Sequence, residues 1–291
     1  MKFHRVYVEI TNICGLACSF CPAKTLPPQT MSLDFFEDIV SQLSLYTKEL
    51  ALHVVGDPLV LSNLDEYLDI ANKFEMKISL TTSGYFLGKK EPTLLLHQSI
   101  KQVNISLNSY NKNSMPISFE EYMSPILGLC DLKLETNPNS FINLRVWNLD
   151  EEQSEKSFNQ TLFKKLQEHF NTPLHVENIY KEKPKNIRLA SKILLHFDNY
   201  FEWPSLETKN MSHGTCQGLH SHFGILANGD VVPCCLDKDG VMKLGNLHVQ
   251  SLKSILQSKR VREIRDGFKN GFAIELLCQK CTYKERFNEL L

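Results

Sequence analysis

The strongest constraint on this fold is a repeated alternation of β-rich runs with amphipathic stretches over the first 180 residues. The runs that predict strands lie at 3–10, 50–55, 76–81, 103–107, 141–146 and 174–179. Apolar residues at helical spacing lie between the later runs, most clearly over 117–128 and 152–169. Repeated strand–helix units form parallel sheets with right-handed crossovers. The first part of the chain is therefore predicted to be an α/β domain.

Helix starts and polar strand ends refine this prediction. Ser32 is expected to cap a first helix, and Ser62–Asp65 resembles a capping box before a second. Polar clusters follow the predicted strands at 55–58, 81–84, 106–109 and 145–148. In parallel barrels the reactive groups lie on loops at the carboxyl ends of strands. We therefore expect these clusters to lie at one end of the sheet, together with the loop after the first strand.

That first loop contains three cysteines, Cys14, Cys18 and Cys21, in a C-x3-C-x2-C pattern. Three thiolates can hold three irons of a [4Fe–4S] cluster, which normally takes four cysteines. The fourth iron is then open to an outside ligand. A zinc site is the alternative, although zinc sites usually pair C-x2-C units with a fourth ligand nearby.

The loop resembles the C-x3-C-x-aromatic-C signature of the radical S-adenosylmethionine (SAM) superfamily, with Phe20 at the aromatic position. The resemblance implies a partial (βα)6 TIM-like barrel and an open iron that binds the amino and carboxylate groups of SAM. It also implies that an electron splits SAM into methionine and a 5′-deoxyadenosyl radical, which abstracts a substrate hydrogen. The electron would come from a flavodoxin- or ferredoxin-type donor.

Other residues at the strand ends extend this resemblance. Gly56-Asp57-Pro58 resembles the family's G-G-E-P motif, with Val55 in place of the first glycine, although Gly-Asp-Pro is also an ordinary turn signal. Glu9, Thr11 and Asn12 precede the cysteines and are expected to shape their loop.

Five further side chains are candidate contacts of SAM. Ser83 stands where relatives carry the asparagine of Asn-Gly, and Ser106 and Asn108 stand where relatives often read Ser-Leu-Asp. Their hydroxyl and amide groups could bind the ribose or carboxylate of SAM, and each could instead form a local turn. Arg145 lies in an apolar strand, where burial requires a partner such as the SAM carboxylate or a structural acid. Phe20 is expected against the adenine or in the core.

The C-terminal region contains a second set of thiols around a predicted hairpin. Asn228-Gly229 between two apolar runs is a hairpin signal. The candidate ligands of an auxiliary [4Fe–4S] cluster are Cys216, Cys234, Cys278 and Cys281, with Cys235 as a competitor for Cys234. Their order resembles the SPASM and shorter twitch extensions of the radical SAM family. A zinc ribbon is the alternative.

The candidates for a catalytic proton acceptor are His222, Asp237 and Cys235, beside His220 and Asp239. A fully ligated auxiliary cluster favours net oxidation or rearrangement of a small molecule or peptide, with that cluster as the electron acceptor. Basic runs at 181–192 and 259–265 leave a tRNA- or nucleobase-modifying enzyme as an alternative, because they could bind phosphates. A non-catalytic metal-binding scaffold is the alternative from another class.

Composition agrees with a globular, thiol-rich protein. The chain has 291 residues, 42% of them hydrophobic, which is enough for a sizeable core. The net charge of −1 and the lack of any apolar run of roughly 18 residues give no bias toward a membrane. Nine cysteines without a secretion signal argue against a disulfide framework and for the reducing cytoplasm.

We therefore expect a radical SAM partial barrel over 1–180 and a linker over 181–212. A small α+β twitch- or SPASM-like domain with a β-hairpin and a helix is expected over 213–291.

Overall fold

The computed structural model describes residues 1–149, 156–209 and 211–290. The chain forms two compact units. The first comprises Met1–Gly15, Cys21–Ile78 and Phe201–Leu291, and the second comprises Leu16–Phe20 and Ser79–Tyr200. Each unit is therefore assembled from segments that are distant in the sequence.

The first unit contains a mixed sheet centred on β1 (Arg5–Val8). β2 (Glu49–Ala51) and β8 (His222–Ile225) lie on either side of β1 and run parallel to it. β9 (Asp230–Val232) forms an antiparallel hairpin with β8, and β10 (Gly245–Asn246) pairs antiparallel with β9. A strand of the C-terminal region thus pairs directly with the first strand of the chain.

The second unit contains a largely parallel sheet. β3 (Lys77–Thr82) begins in the first unit and ends in the second. β4 (Ile100–Ser106), β5 (Phe141–Val146) and β7 (Ile193–Phe197) pair in parallel in that order. β6 (Asn186–Ala190) is antiparallel to β7.

Helices connect these strands or follow them. They are α1 (Leu33–Leu43), α2 (Leu64–Lys73), α3 (Asn108–Asn111), α4 (Phe119–Thr136), α5 (Lys156–Phe170), α6 (Val176–Glu182), α7 (Leu252–Leu256), α8 (Lys259–Lys269) and α9 (Leu276–Gln279). Short 3₁₀ helices cover Pro58–Val60, Leu87–Lys89, Pro92–Leu96 and Thr282–Leu290. The predicted α/β class is confirmed.

Local sequence explains where several helices begin. Ser32 accepts a hydrogen bond from the Phe35 amide, which confirms its predicted role as N-cap of α1. The capping box predicted at Ser62 is wrong, because α2 begins after Asn63 without a side-chain cap hydrogen bond. Ser62 lies one residue too early to cap that helix. The helix predicted over 152–169 is present as α5, and its first part, 152–155, lies outside the described residues.

The sixth strand lies later in the chain than the sequence predicted. The run 174–179 is wrong as a strand, because most of it belongs to α6. Its buried residues are Leu174 and Ile179, which do not follow the period of two that a strand requires. β7, whose buried residues alternate, takes the place beside β5. The predicted linker 181–212 therefore includes two paired strands.

Among the described residues, no helix is both long and apolar enough to cross a lipid bilayer.

Glu9, directly after β1, joins three segments of the first unit. Its carboxylate accepts hydrogen bonds from the Val55 amide at 3.1 Å and the Ala227 amide at 3.4 Å. Glu9 is 1% exposed. Burial raises the pKa of this carboxyl to about 7, although the two amides and Lys24 oppose the shift. One carboxylate thus fixes the turn after β2 and the hairpin turn after β8 to the end of β1.

We expect Glu9 to make stability depend on pH. The folded protein holds this proton more tightly than the unfolded chain, whose carboxyl has the ordinary pKa of 4.5. The free energy of unfolding therefore falls as pH rises, by about 2 kcal/mol between pH 5.5 and 8 from this group. Anaerobic thermal unfolding of the parent and of Glu9→Gln at several pH values measures this. The difference between the two proteins should change over that pH range, and a constant difference would refute the assignment.

Candidate active site

Two side chains close the base of the first cysteine loop. Thr11 Oγ1 donates to the Gln29 carbonyl at 3.1 Å. Asn12 Nδ2 donates to the Pro27 carbonyl at 2.8 Å, and Asn12 Oδ1 accepts from the Gln29 amide at 2.7 Å. The chain before and after the cysteines is therefore joined at this point, in agreement with the loop-shaping role predicted for Thr11 and Asn12.

The three cysteines of this loop differ in exposure. Cys14 is half-buried, Cys18 is buried and Cys21 is exposed. Cys14 and Cys21 belong to the first unit, and Cys18 belongs to the second. Three thiols within eight residues are the donor set that an iron–sulfur cluster with one open iron requires, so the residues present fit such a group.

Sequence reasoning missed a residue that contacts Cys18. Asn113 Nδ2 donates to Cys18 Sγ at 3.0 Å within the second unit. Asn113 follows α3 and lies 95 residues from Cys18 in the chain. Only the folded structure reveals the contact, because no local pattern relates the two residues.

The Gly56-Asp57-Pro58 motif packs against the segment that precedes the cysteines. A Cβ on its glycine would lie 1.9 Å from the Thr11 carbonyl oxygen, so only glycine fits there. The amide of its aspartate donates to the Ile13 carbonyl at 2.9 Å. The aspartate side chain accepts an amide hydrogen bond at 3.0 Å in the 3₁₀ helix that follows. The motif thus presents its backbone beside the cysteine loop.

Two of the candidate SAM contacts in the second unit have local partners. The Ser83 hydroxyl accepts from the Tyr85 amide at 3.3 Å, which is a local turn. Asn108 Oδ1 accepts from the Trp147 amide at 2.8 Å. Asn108 Nδ2 is buried and has no hydrogen-bond partner within the described part of the chain. One donor of Asn108 is therefore available for a ligand.

Arg145 lies among polar residues at the carboxyl end of the second unit's strands. In the strand register its neighbours are Ser106 on β4 and His196 on β7. Its guanidinium carbon is 5.0 Å from the centre of the Trp147 ring. Burial and the Arg145 charge lower the pKa of His196, so this imidazole is neutral at neutral pH.

A network of side-chain amides lies two residues nearer the amino ends of β4 and β5. Asn104 Oδ1 accepts from Gln102 Nε2 at 2.7 Å and from Asn143 Nδ2 at 3.2 Å. Asn143 and Arg145 are two residues apart on β5 and therefore face the same side of the sheet. This side combines the side-chain amides of Asn104 and Asn143 with the Arg145 guanidinium.

Phe20 and the aromatic residues at 200–203 contact other aromatic rings. Phe20 stacks on Tyr200 with ring centres 5.2 Å apart in the second unit. In the first unit, the Phe201 ring lies 5.3 Å from Trp203 and 5.2 Å from Tyr283. The interior of the segment predicted as a linker is therefore packed through its aromatic rings.

Four thiols of the C-terminal region lie close together in the first unit. Burial is the largest cause that raises the pKa of each one, and neighbouring thiols raise the pKa of three of them further. They are Cys216, Cys234, Cys278 and Cys281. Crowded thiolates repel one another unless a cation lies between them, so this donor set fits a metal cluster.

The adjacent residues Cys234 and Cys235 have different surroundings. Cys234 interacts with Cys216, Cys278 and Cys235, and Cys235 in turn interacts with Cys216. Cys235 packs with Tyr7 against an apolar cluster that includes Val54, and the Tyr7 hydroxyl donates to its sulfur. Burial raises the pKa of Cys235 to about 12, so its thiol is protonated. Cys235, which contacts Tyr7 on β1, thus directly follows Cys234 of the thiol group in the chain.

A buried lysine, also missed in the sequence, binds the turn that carries the last two thiols. Lys284 Nζ donates to the Cys278 and Cys281 carbonyls at 3.0 Å each and to the Gln279 carbonyl at 3.3 Å. Lys284 is 2% exposed. Burial lowers its pKa, and the neighbouring thiols oppose this shift. Its ammonium group adds positive charge beside the thiols.

The predicted proton acceptors differ in their availability. The His222 ring makes an edge contact with Tyr7, and burial together with the Arg5 charge lowers its pKa to about 4. His222 is therefore neutral. The Asp237 carboxylate accepts hydrogen bonds from the Val241 and Met242 amides at 2.8 Å each, so it shapes the turn after β9.

We expect Lys284→Met to destabilise the C-terminal region. Three buried carbonyls lose a charged donor, which costs about 2 kcal/mol or more. Anaerobic thermal unfolding and iron content measure the effect, with Lys269→Met on the exposed side of α8 as the matched control. The Lys284 variant should unfold at a lower temperature than the control. Equal unfolding midpoints would show that the three hydrogen bonds contribute nothing.

Comparison with protein families identifies both regions of the chain. Residues 8–144 match the radical SAM superfamily. Residues 216–282 match the SPASM iron–sulfur cluster-binding domain. The first match includes the three cysteines that follow β1, and the second includes the four clustered thiols.

Solved structures share the fold. BtrN in complex with AdoMet and 2-DOIA has a TM-score of 0.60 and 16% identity, and the match covers 97% of this chain and 94% of BtrN. Streptococcus suis SuiB bound to the precursor peptide SuiA has a TM-score of 0.59 and 15% identity, over 98% of this chain and 73% of SuiB. The anSMEcpe protein with bound AdoMet has a TM-score of 0.55 and 16% identity, over 96% and 86%.

One curated relative is similar in sequence over a shorter stretch. The GTP 3′,8-cyclase of Campylobacter fetus subsp. fetus (strain 82-40) is 29% identical over 113 residues. The alignment covers 36% of this chain and 34% of the cyclase.

These matches imply a [4Fe–4S] cluster that binds SAM and an auxiliary iron–sulfur centre. The chain belongs to the radical SAM superfamily and carries a C-terminal iron–sulfur cluster-binding domain of the SPASM type.

Proposed function

We propose that Cys14, Cys18 and Cys21 hold the SAM-binding [4Fe–4S] cluster. When bound, this cluster and SAM supply the one-electron chemistry that removes a hydrogen atom from an unreactive carbon. The backbone of Gly56 and Asp57, with Pro58, contacts the methionine part of SAM, since the motif is packed beside the cysteine loop. The loop's hydrogen bonds at Thr11 and Asn12 keep this arrangement in place.

Further side chains are proposed as contacts of SAM. Arg145 binds the SAM carboxylate, and Ser106 and Asn108 bind its polar groups. The buried, unpartnered Nδ2 of Asn108 supports a ligand contact there. Ser83 is also proposed as a contact of SAM, beside its local hydrogen bonds from the Tyr85 amide to its hydroxyl and from the Tyr122 hydroxyl to its carbonyl. Phe20 stacks on Tyr200 and supports the adenine from this position.

The reaction that the geometry supports best is oxidation or rearrangement of a small molecule or peptide. The carrying observation is the group of four half-buried thiols, Cys216, Cys234, Cys278 and Cys281, which we assign to one auxiliary [4Fe–4S] cluster that accepts an electron. We assign Cys234 as the ligand of the adjacent pair, because it interacts with Cys216 and Cys278, whereas Cys235 interacts with Cys216 and packs against Tyr7.

The chain's own polar groups fit the substrate and proton roles. Asn143 Oδ1 is buried and has no hydrogen-bond partner within the described part of the chain, so it suits a substrate with a hydroxyl or amide donor. His222 is neutral and lies against Tyr7, but burial and the Arg5 charge lower its pKa to about 4, so it is a weak base and could accept a proton only from a strongly acidic substrate radical. Asp237 is a weaker candidate, because its carboxylate already accepts two amide hydrogen bonds.

A tRNA or nucleobase substrate is the alternative outcome. Part of the basic run on α8 is neutralised within the protein, since Arg260 forms two hydrogen bonds with the Glu275 carboxylate at 2.6 and 2.7 Å. RNA that copurifies in a salt-dependent way would favour this alternative. A flavodoxin- or ferredoxin-type protein remains the proposed electron donor.

The first experiment counts the clusters. Anaerobically reconstituted protein should contain about eight irons, and a Cys14/Cys18/Cys21→Ala variant about four. With dithionite and SAM, only the parent should produce 5′-deoxyadenosine. Bound zinc without deoxyadenosine would overturn the proposal and support a structural metal protein. Clusters without SAM cleavage under strong reduction would support a non-catalytic scaffold.

A second pair of variants tests the auxiliary ligands. Cys234→Ala should lose about four irons but still cleave SAM. Cys235→Ala is the matched control, because it removes the neighbouring thiol that faces Tyr7, and it should keep the parent's iron content. Iron loss in Cys235→Ala alone would reverse the ligand assignment.

A further inference from the structure

The middle of the first cysteine loop is anchored to the segment that follows α3. The Ala17 amide donates to Asn113 Oδ1 at 3.0 Å, and the Ser19 amide donates to the Lys112 carbonyl at 3.3 Å. Asn113 Nδ2 donates to Cys18 Sγ at 3.0 Å. Lys112 and Asn113 of the second unit therefore bind the amides of the residues before and after Cys18, and Asn113 also binds its sulfur.

The orientation of the Asn113 carboxamide follows from its partners. Nδ2 also donates to the Ser109 carbonyl at 2.7 Å, and Oδ1 faces the Ala17 amide. A flipped amide would place its oxygen against one carbonyl oxygen and its nitrogen against another N–H group. Both contacts would be repulsive. The group that faces the Cys18 sulfur is therefore an N–H donor.

The short helix α3, which precedes Asn113, is itself held in place. α3 is joined to the end of β5, because Asn108 Oδ1 accepts the Trp147 amide at 2.8 Å. Cys18 is 7% exposed, so little water competes for its sulfur. A hydrogen bond to a thiolate is stronger in such a shielded place than at an exposed position.

We infer that Asn113 is a positioning residue of the SAM-binding cluster. It presents Cys18 to iron and raises the cluster's reduction potential by donating to its sulfur. Hydrogen bonds to cluster sulfurs stabilise the more negative, reduced state. This inference rests on the proposed function, since it takes Cys18 as a ligand of the cluster.

The test is a redox titration of the cluster, followed by electron paramagnetic resonance in the full-length, reconstituted protein. The SAM-binding cluster is recognised because its signal changes when SAM is added. In Asn113→Ala and Asn113→Asp, the ratio of reduced to oxidised cluster at a fixed potential should fall about fivefold or more. Asn113→Asp keeps an acceptor for the Ala17 amide but replaces the donor beside the sulfur with a negative charge, so it should lower the reduction potential further than Asn113→Ala does.

The matched control is Asn111→Ala. Asn111 lies on the same short helix, and its buried side-chain amide has no hydrogen-bond partner within the described part of the chain. Its variant should titrate like the parent. Iron loss in Asn113→Ala, but not in Asn111→Ala or Asn113→Asp, would support the positioning role.

Two results overturn the inference and are distinguishable. If the parent holds a SAM-responsive cluster and both Asn113 variants titrate like it, only the role of Asn113 is refuted. If the parent binds no iron at Cys14, Cys18 and Cys21, the proposed function fails together with this inference.

Discussion

The buried carboxylate of Glu9 is the interaction on which the rest of the first unit depends. It lies directly after β1 and accepts amides from the turn after β2 and from the hairpin turn after β8. Those three segments lead into the first cysteine loop, the Gly56-Asp57-Pro58 motif and the region of the auxiliary thiols. A single buried acceptor is costly unless it is satisfied, so each of these segments is constrained by the other two. The parallel pairing of β8 with β1 has the same effect along the strand.

The adjacent residues Cys234 and Cys235 follow the β8–β9 hairpin whose turn Glu9 binds. Both residues lie in the turn after β9, where the Cys234 carbonyl accepts a hydrogen bond from the Asp237 amide at 3.3 Å. Cys234 interacts with Cys216 and Cys278, whereas Cys235 interacts with Cys216 and contacts Tyr7 on β1. The His222 ring makes an edge contact with the same tyrosine, so Tyr7 is the side chain that joins the candidate proton acceptor to Cys235.

The sequence predicted those parts of the molecule whose cause is local. β1 to β5 follow from apolar runs, and the β8–β9 hairpin follows from Asn228-Gly229, where the glycine has a φ of 83°. β7 was missed because its segment looked like a connection between domains, and its role depends on pairing with β5. Asn113 and Lys284 were missed for a related reason. Their partners are a distant sulfur and backbone carbonyls, which leave no pattern in the residue types.

The two sets of thiols are built for different tasks under the proposed assignment. Cys21 is exposed and the first loop is held by hydrogen bonds at its base and at its middle, which leaves room for an outside ligand at the open iron. The four auxiliary thiols are half-buried, and Lys284 binds the carbonyls of the turn that carries Cys278 and Cys281. A cluster that must bind SAM needs access, whereas one that only exchanges electrons gains from a closed ligand set and a low-dielectric shell. Lys284 places a positive charge beside the auxiliary thiols, and Asn113 places an N–H donor beside the Cys18 sulfur. Under the proposed assignment, each residue favours the reduced state of its own cluster.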